Sequence, residues 1–332
     1  MRPPWSLLGM TVLGGAAGGV VLGLFTDAWR GLVVPYSLLD LLALLLTAAG
    51  GAAAFTHLHH PRRARYVLRR LSSSWLSREV LTTGLLGVAL TAAAVASWGD
   101  AAPAFQRALD SGLLVLALVA LWVTAMIYAS LPAMRSWYGP LTVVSMVGIG
   151  LYTGWVWHLA ALALAGVPAR ALAPLRDATW VGAAALAGVK ALQVRHFADA
   201  RRRLTLGLGS GLPLGPYRLQ DPGTGRPPYR TQTQAWPDLD PGCRRSGYAV
   251  SFALLFLVPA LLAGTLLAYP AAGIALAVVA LAGATGERWL FFADATHSSK
   301  LWLIGGDEER APSRVAAPAR VLAFLERYRE GG

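Results

Sequence analysis

Three shortages define this sequence. Cysteine occurs once, as Cys243 in a chain of 332 residues. That excludes an internal disulfide, a Cys-ligated iron–sulfur cluster and a Cys-based zinc site, because each needs two or more thiolates. Charge is scarce: 14% of the residues are Asp, Glu, Lys or Arg, against about 25% in an ordinary soluble domain. Acids are scarcer still, with 17 Asp and Glu against 29 Lys and Arg, for a formal net charge of +12. A 20–50-residue repeat is also missing, which excludes a solenoid. What the chain has instead is apolar residues, 55% of the total, in runs too long for the helices of a soluble core. It reads as a polytopic membrane protein, and any redox metal it works with must reside largely on other chains.

A hydrocarbon core about 30 Å thick takes roughly 20 helical residues. Eight runs of that size are present, at 5–26, 35–56, 79–98, 110–131, 140–165, 176–196, 248–268 and 271–293. The first continues apolar to Phe25 with no clear cleavage site, so it reads as a retained span rather than a signal peptide. The expected fold is all-α: a bundle of eight transmembrane helices forming a membrane domain over 1–296, followed by a tail over 297–332. The domain includes one long polar insertion after helix six, 197–247, dense in Gly, Pro and Arg. This insertion is either a solvated linker or an ordered clamp for a partner, with Tyr217, Tyr229 and Trp236 as anchors. In the tail, Val321, Leu322 and Leu325 interleave with Arg320, Glu326 and Arg327, the pattern of a short amphipathic helix.

An even number of spans places both termini on one face, together with the loops after spans two, four and six. Most of the basic residues belong to that face, while the opposite loops hold only Arg30, Arg107, Arg170 and Arg176. By the positive-inside rule the arginine-rich face is cytoplasmic, with both termini inside an inner (cytoplasmic) membrane. The same clustering in short loops, and the lack of any nucleic-acid motif, argue against nucleic acid as the partner of all this positive charge.

The informative residues in such a chain are ionisable groups near or inside the spans, because each is costly in hydrocarbon unless paired, hydrated or functional. His57 stands at the exit of span two, and Trp75, Arg78 and Glu79 at the entry to span three. The segment between has helical apolar spacing at Tyr66, Val67 and Leu71, so it should lie flat at the interface and bring His57 near Glu79. A His–Glu pair at that boundary can exchange protons with a quinone headgroup. Blander readings stand beside this one. The histidines with Arg62 and Arg63 could be a basic cluster touching anionic lipid. Glu79 could be an acid favoured by the helix dipole, with Ser77 as cap. Trp75, Trp98, Trp137 and Trp302 fit an aromatic belt, and Lys190, two turns from the end of span six, could snorkel to the surface. Haem b is the rival use of the histidines: His57, His196 and His297 share one boundary, whereas only His158 lies toward the other, which excludes a transmembrane pair of haems.

Two motifs carry a family resemblance: His57-Leu58-His59-His60-Pro61-Arg62-Arg63-Ala64 and Ser74-Trp75-Leu76-Ser77-Arg78-Glu79. Together they resemble the membrane-anchor subunit of dimethyl-sulfoxide-reductase-type molybdoenzymes. Tyr128, Trp137 and Pro140 to Thr142, and the span-eight ending Gly286-Glu287-Arg288-Trp289-Leu290-Phe291-Phe292, are similar to further stretches of that family. The resemblance implies a three-subunit complex in which a molybdopterin catalytic subunit and a four-cluster iron–sulfur subunit dock on a quinone-binding anchor. Carried over by position, it implies quinol binding and proton exchange at His57 and Glu79. Two departures stand out: His59 replaces a usual Gly, and Glu287 adjoins Arg288 where the family's Glu usually precedes it by several residues.

The charge distribution then separates branches of the family. In the dimethyl sulfoxide branch the His-bearing loop faces the periplasm, whereas here that loop is the most arginine-rich short one. This resembles the anchors of cytoplasm-facing sulfite-oxidising complexes, which also have a long Gly- and Pro-rich loop after span six. The expected function is therefore to pass electrons from sulfite to ubiquinone or menaquinone. His57 would bond a quinone carbonyl and Glu79 relay a proton, with Arg78, Trp75 and Tyr128 shaping the pocket. Arg62, Arg63, Arg65, Arg69 and Arg70 would dock the iron–sulfur subunit. The competing readings are a quinol-oxidising anchor of a dimethyl sulfoxide or polysulfide reductase in anaerobic respiration, and a proton-coupled transporter using Lys190 and Glu79.

Overall fold

The computed structural model describes residues 3–56, 61–99, 102–202, 240–266 and 268–295. The amphipathic tail helix, His57, His297, Trp302 and residues 203–239 of the long insertion lie outside these. The described residues form helices α1 (Trp5–Arg30), α2 (Tyr36–Thr56), a 3₁₀ helix (Pro61–Arg70), α3 (Trp75–Ala96), α4 (Pro103–Ala129), α5 (Pro140–Leu164), α6 (Ala169–Arg202), α7 (Pro241–Thr265) and α8 (Ala272–Ala293). Seven of them are long and apolar enough to cross a membrane. Besides the short 3₁₀ helix, only α6 among the described helices lies outside that group; it has 34 residues, but its apolar stretch is diluted by Lys190 and flanking arginines.

The helices overrun the spans expected from hydropathy. α3 starts at Trp75 rather than 79, α4 at Pro103 rather than 110, and α6 runs Ala169–Arg202 rather than 176–196. The long insertion is correspondingly shorter than 197–247, since α6 and α7 take up both of its ends. The reason is physical. Hydropathy marks what hydrocarbon covers, whereas backbone hydrogen bonding continues until a cap intervenes. Ser74 caps α3 by accepting from Ser77 N–H, so Ser77 is not the cap. Asp240 caps α7 by accepting from Cys243 N–H. Pro103, Pro140 and Pro241 occupy first-turn positions, where a missing N–H costs nothing. Gly31 ends α1 in the left-handed region, at φ 65°, which a side chain would resist.

Neighbour relations resolve the molecule into two rings of four helices. In the first, α1 packs on α2, α2 on α3, α3 on α4, and α4 back on α1; the second closes identically from α5 to α8. The rings meet where α1 touches α5 and α8 and where α4 touches α5. α1 and α5 are therefore the centre: 67% and 61% of their most apolar windows are buried, against 22% for peripheral α3.

Backbone proximity makes the central contact. A Cβ on Gly19 would come within 2.6 Å of Gly154 Cα, one on Gly15 within 2.8 Å of Gly150 Cα, and one on Gly23 would enter the His158 ring. The matching i, i+4 steps, Gly15/Gly19/Gly23 against Gly150/Gly154/His158, run in the same direction, so the two helices are parallel. Small residues that let backbones approach are how helices associate in lipid, where apolar burial gives no preference for protein over acyl chain. α7 has a π-helical turn at Ala253–Leu257, packed where Gly283 of α8 admits the backbone of Leu254 and Leu255.

Candidate functional site at the arginine-rich end

The N-terminus of α1, the C-terminus of α2, the 3₁₀ helix and the start of α3 share one end of the bundle with the α4–α5 turn, the end of α6, the start of α7 and the end of α8. At this end Arg65, Arg69 and Arg70 are exposed, and the guanidiniums of Arg65 and Arg69 stack on Tyr66, 4.7 and 4.5 Å from its centroid. The 3₁₀ helix is tied down by α3. Ser77 Oγ donates to Val67 O at 2.6 Å, and Arg78 donates to Leu71 O (2.8 Å) and Ser72 O (2.6 Å). Arg78 also lies 4.3 Å from the Trp75 ring centroid, and Trp75 meets Trp122 edge-on. Arg78 thus fastens a loop, and Trp75 is clamped between it and α4.

Glu79, one residue further along, points inward. It is 7% exposed, and the hydroxyl of Thr124 on α4 donates to its Oε1 at 2.7 Å. One α-helical turn after Thr124, and so on the same face of α4, stands Tyr128, also buried. The structure therefore brings Glu79 and Tyr128 into one neighbourhood. Tyr128 lies in an aromatic cluster with Trp137, Phe291 and Phe292, at centroid distances of 5.3 to 5.8 Å. Trp137 is no belt residue: it is 5% exposed, stacks on Phe291, and donates its indole N–H to Phe291 O at 3.1 Å.

Sequence reasoning missed the ionic centre behind this cluster. Lys190 does not snorkel; it is 1% exposed. Its ammonium donates to Glu287 Oε1 of α8 and, at 2.7 Å, to Gln193 Oε1. Ser145 of α5 donates to the same Gln193 oxygen at 2.9 Å. Arg288 Nε lies 3.1 Å from Glu287 Oε2. Buried charge must be paired, and here the two formal cations share one carboxylate. Nearer the membrane surface, Asp294 accepts from Tyr248 (3.0 Å) and pairs with Arg201 and Arg244 at 3.1 and 3.0 Å, linking α6, α7 and α8.

A second polar group, also unforeseen, lies at the opposite end. Asp27 pairs with His158 Nε2 at 2.8 Å, Asp40 accepts from Ser97 at 2.5 Å, and Asp110 from Gln106 at about 3 Å. All three aspartates are fully buried. The detectable signal was an ionisable residue at the edge of an apolar run, and span limits drawn at 26 and 110 left Asp27 and Asp110 at the margin. Among the described residues, no group of three or more His, Cys, Asp or Glu side chains could hold a metal ion. His196, at the end of α6, packs edge-on against Phe197.

The described residues thus form a two-ring helical bundle with buried ion pairs behind one arginine-rich end, and residues 1–202 match the family described as DMSO reductase anchor subunit (DmsC). The chain belongs to that family: it is an integral membrane anchor of a molybdoenzyme complex, which implies catalytic and iron–sulfur partner subunits. Among individual proteins it is similar to a subunit of the sulfite dehydrogenase of Allochromatium vinosum, at 30% identity over 327 residues, spanning 91% of this chain and 98% of that protein.

Proposed function

We propose that the chain is the quinone-reducing anchor of a sulfite-oxidising complex. It would cross the membrane eight times, α6 included, with both termini and the arginine-rich end in the cytoplasm. Sulfite and water yield sulfate, two protons and two electrons at the molybdopterin subunit. The electrons pass through the iron–sulfur subunit, and quinone takes up two electrons and two protons at this chain to leave as quinol. Arg62, Arg63, Arg65, Arg69 and Arg70, with the long insertion, form the docking face for the iron–sulfur subunit.

The observation that carries the reading is Glu79: a carboxyl group buried one turn inside the arginine-rich end and held by Thr124, one helical turn before the buried Tyr128. An isolated carboxylate is expensive in such surroundings and is retained where protons must be delivered. The near full-length likeness to a protein named as part of a sulfite dehydrogenase supports sulfite as donor. The match to the DMSO reductase anchor family supports the second reading, a quinol-oxidising anchor of a sulfoxide or polysulfide reductase with the same site run in reverse.

Glu79→Gln tests the proton role. In membranes holding the whole complex, sulfite-dependent quinone reduction should fall at least 100-fold relative to sulfite-dependent reduction of an artificial dye. Quinone turnover within twofold of the unaltered complex, on the same scale, would overturn the assignment.

A further inference from the structure

Buried donors in native proteins almost always find an acceptor, so the exceptions are informative. Two occur together in the ionic centre of α5, α6 and α8: Gln193 Nε2 and Arg288 Nη1 are buried and have no hydrogen-bond partner. The orientation of Gln193 is determined by its neighbours. Lys190 Nζ can only donate, and with Ser145 it donates to Gln193 Oε1, so the amide nitrogen must face away from both. Arg288 directs Nε toward Glu287 and leaves Nη1 over. Lys190 bridges Gln193 to Glu287, so both orphan donors belong to one small cluster. Its two formal cations share a single carboxylate, which leaves one positive charge uncompensated.

The surroundings are flat and apolar. Lys190 and Arg288 lie against the Phe291 ring, 5.8 and 5.5 Å from its centroid. Phe291 adjoins Phe197, Phe292, Trp137 and Tyr128. Spare N–H donors, surplus positive charge and aromatic walls suit a planar ring carrying an oxygen that becomes negatively charged. A quinone has two such oxygens at opposite ends of its ring, and Tyr128, one helical turn from the Thr124 that holds Glu79, meets the same Phe291 ring against which Arg288 lies.

We propose that Gln193 and Arg288 bind the second carbonyl oxygen of the quinone headgroup, opposite the end served by Glu79, with Lys190 and Glu287 as positioning residues. The site rests on the quinone reading above and completes it. As electrons arrive from the partner iron–sulfur subunit, negative charge develops on both oxygens. The Gln193–Arg288 side stabilises it by hydrogen bonding and by its uncompensated cation, while protons enter from the Glu79 side.

The test uses Gln193→Leu, which removes the donor at similar volume and leaves every charge in place, together with Arg288→Lys and Arg288→Met, all in the intact complex. Rates are normalised to sulfite-dependent dye reduction, which reports assembled complex. A second readout is fluorescence quenching of a hydroxyquinoline N-oxide, a planar quinone analogue carrying an anionic oxygen. Gln193→Leu and Arg288→Met should each raise the quinone KM and the analogue Kd at least tenfold, and Arg288→Lys should raise them less. Values within twofold for Gln193→Leu would overturn the proposal even if Arg288→Met fails to assemble. Loss of quinone turnover in Glu79→Gln alongside unchanged Gln193→Leu and Arg288→Met sinks this site and leaves the quinone reading standing. Unchanged turnover in Glu79→Gln sinks that reading first, and the analogue Kd then decides separately whether the Gln193–Arg288 pair binds the ring.

Discussion

At the residue scale the chain concentrates its few charges in pairs that span distant parts of the sequence. Glu287 serves two cations, Lys190 and Arg288, which makes the consequences of removing each partner unequal. Lys190→Met leaves Glu287 with Arg288, so buried charge becomes balanced and the loss should be about 1–3 kcal/mol, the cost of an unmet buried hydrogen bond. Glu287→Gln strands two cations, and breaking a buried pair in that way costs about 3–5 kcal/mol. Thermal unfolding of the detergent-purified chain should therefore rank Glu287→Gln well below Lys190→Met, and the reverse ranking would show that Arg288 does not neutralise Glu287 once Lys190 is gone. Half of this site was legible in advance. Glu79 and Tyr128 stand in short motifs and could be picked out by type and position. Lys190 with Glu287, 97 residues apart, and Asp27 with His158, 131 apart, are tertiary pairings that no local pattern encodes.

At the element scale, hydropathy located the apolar helices well and their ends poorly, because caps and backbone hydrogen bonds carry α3, α4 and α6 past the hydrocarbon. It was also blind to which helix is central. The glycines of α1 and α5 hold that information. Gly154 sits so close that an added Cβ would lie 1.9 Å from Ala16 O, and a rigid backbone neighbour cannot turn aside as a side chain can. Gly154→Ala should force α1 and α5 apart at the junction of the two rings, destabilising by about 1–3 kcal/mol as overpacking does and weakening the nearby Asp27–His158 pair. Gly84, on peripheral α3, has nothing within 4 Å of the same position, so Gly84→Ala is the matched control and should be neutral or slightly stabilising. A melting temperature lowered equally by both substitutions would refute the central role of the α1–α5 contact.

At the scale of the whole molecule, the two rings place polar groups at both ends, and function turns on which end faces the cytoplasm. The arginine distribution argues for the end with Glu79 and Arg288, and the lone thiol is a built-in reporter of it. Cys243 lies in the first turn of α7 and is exposed at that end, with no other cysteine in the chain to confuse labelling. In membranes stripped of peripheral subunits, a membrane-impermeant maleimide should modify Cys243 in inside-out vesicles and not in sealed right-side-out ones, while a permeant maleimide modifies both. The inverse pattern would put the Glu79 end outside the cell. Sulfite oxidation in the cytoplasm would then have no direct route to the proposed quinone site, and the quinol-oxidising reading would gain support. Orientation would thus bear on which of the two proposed functions applies, because they place the partner subunits in different compartments while calling on the same residues of this chain.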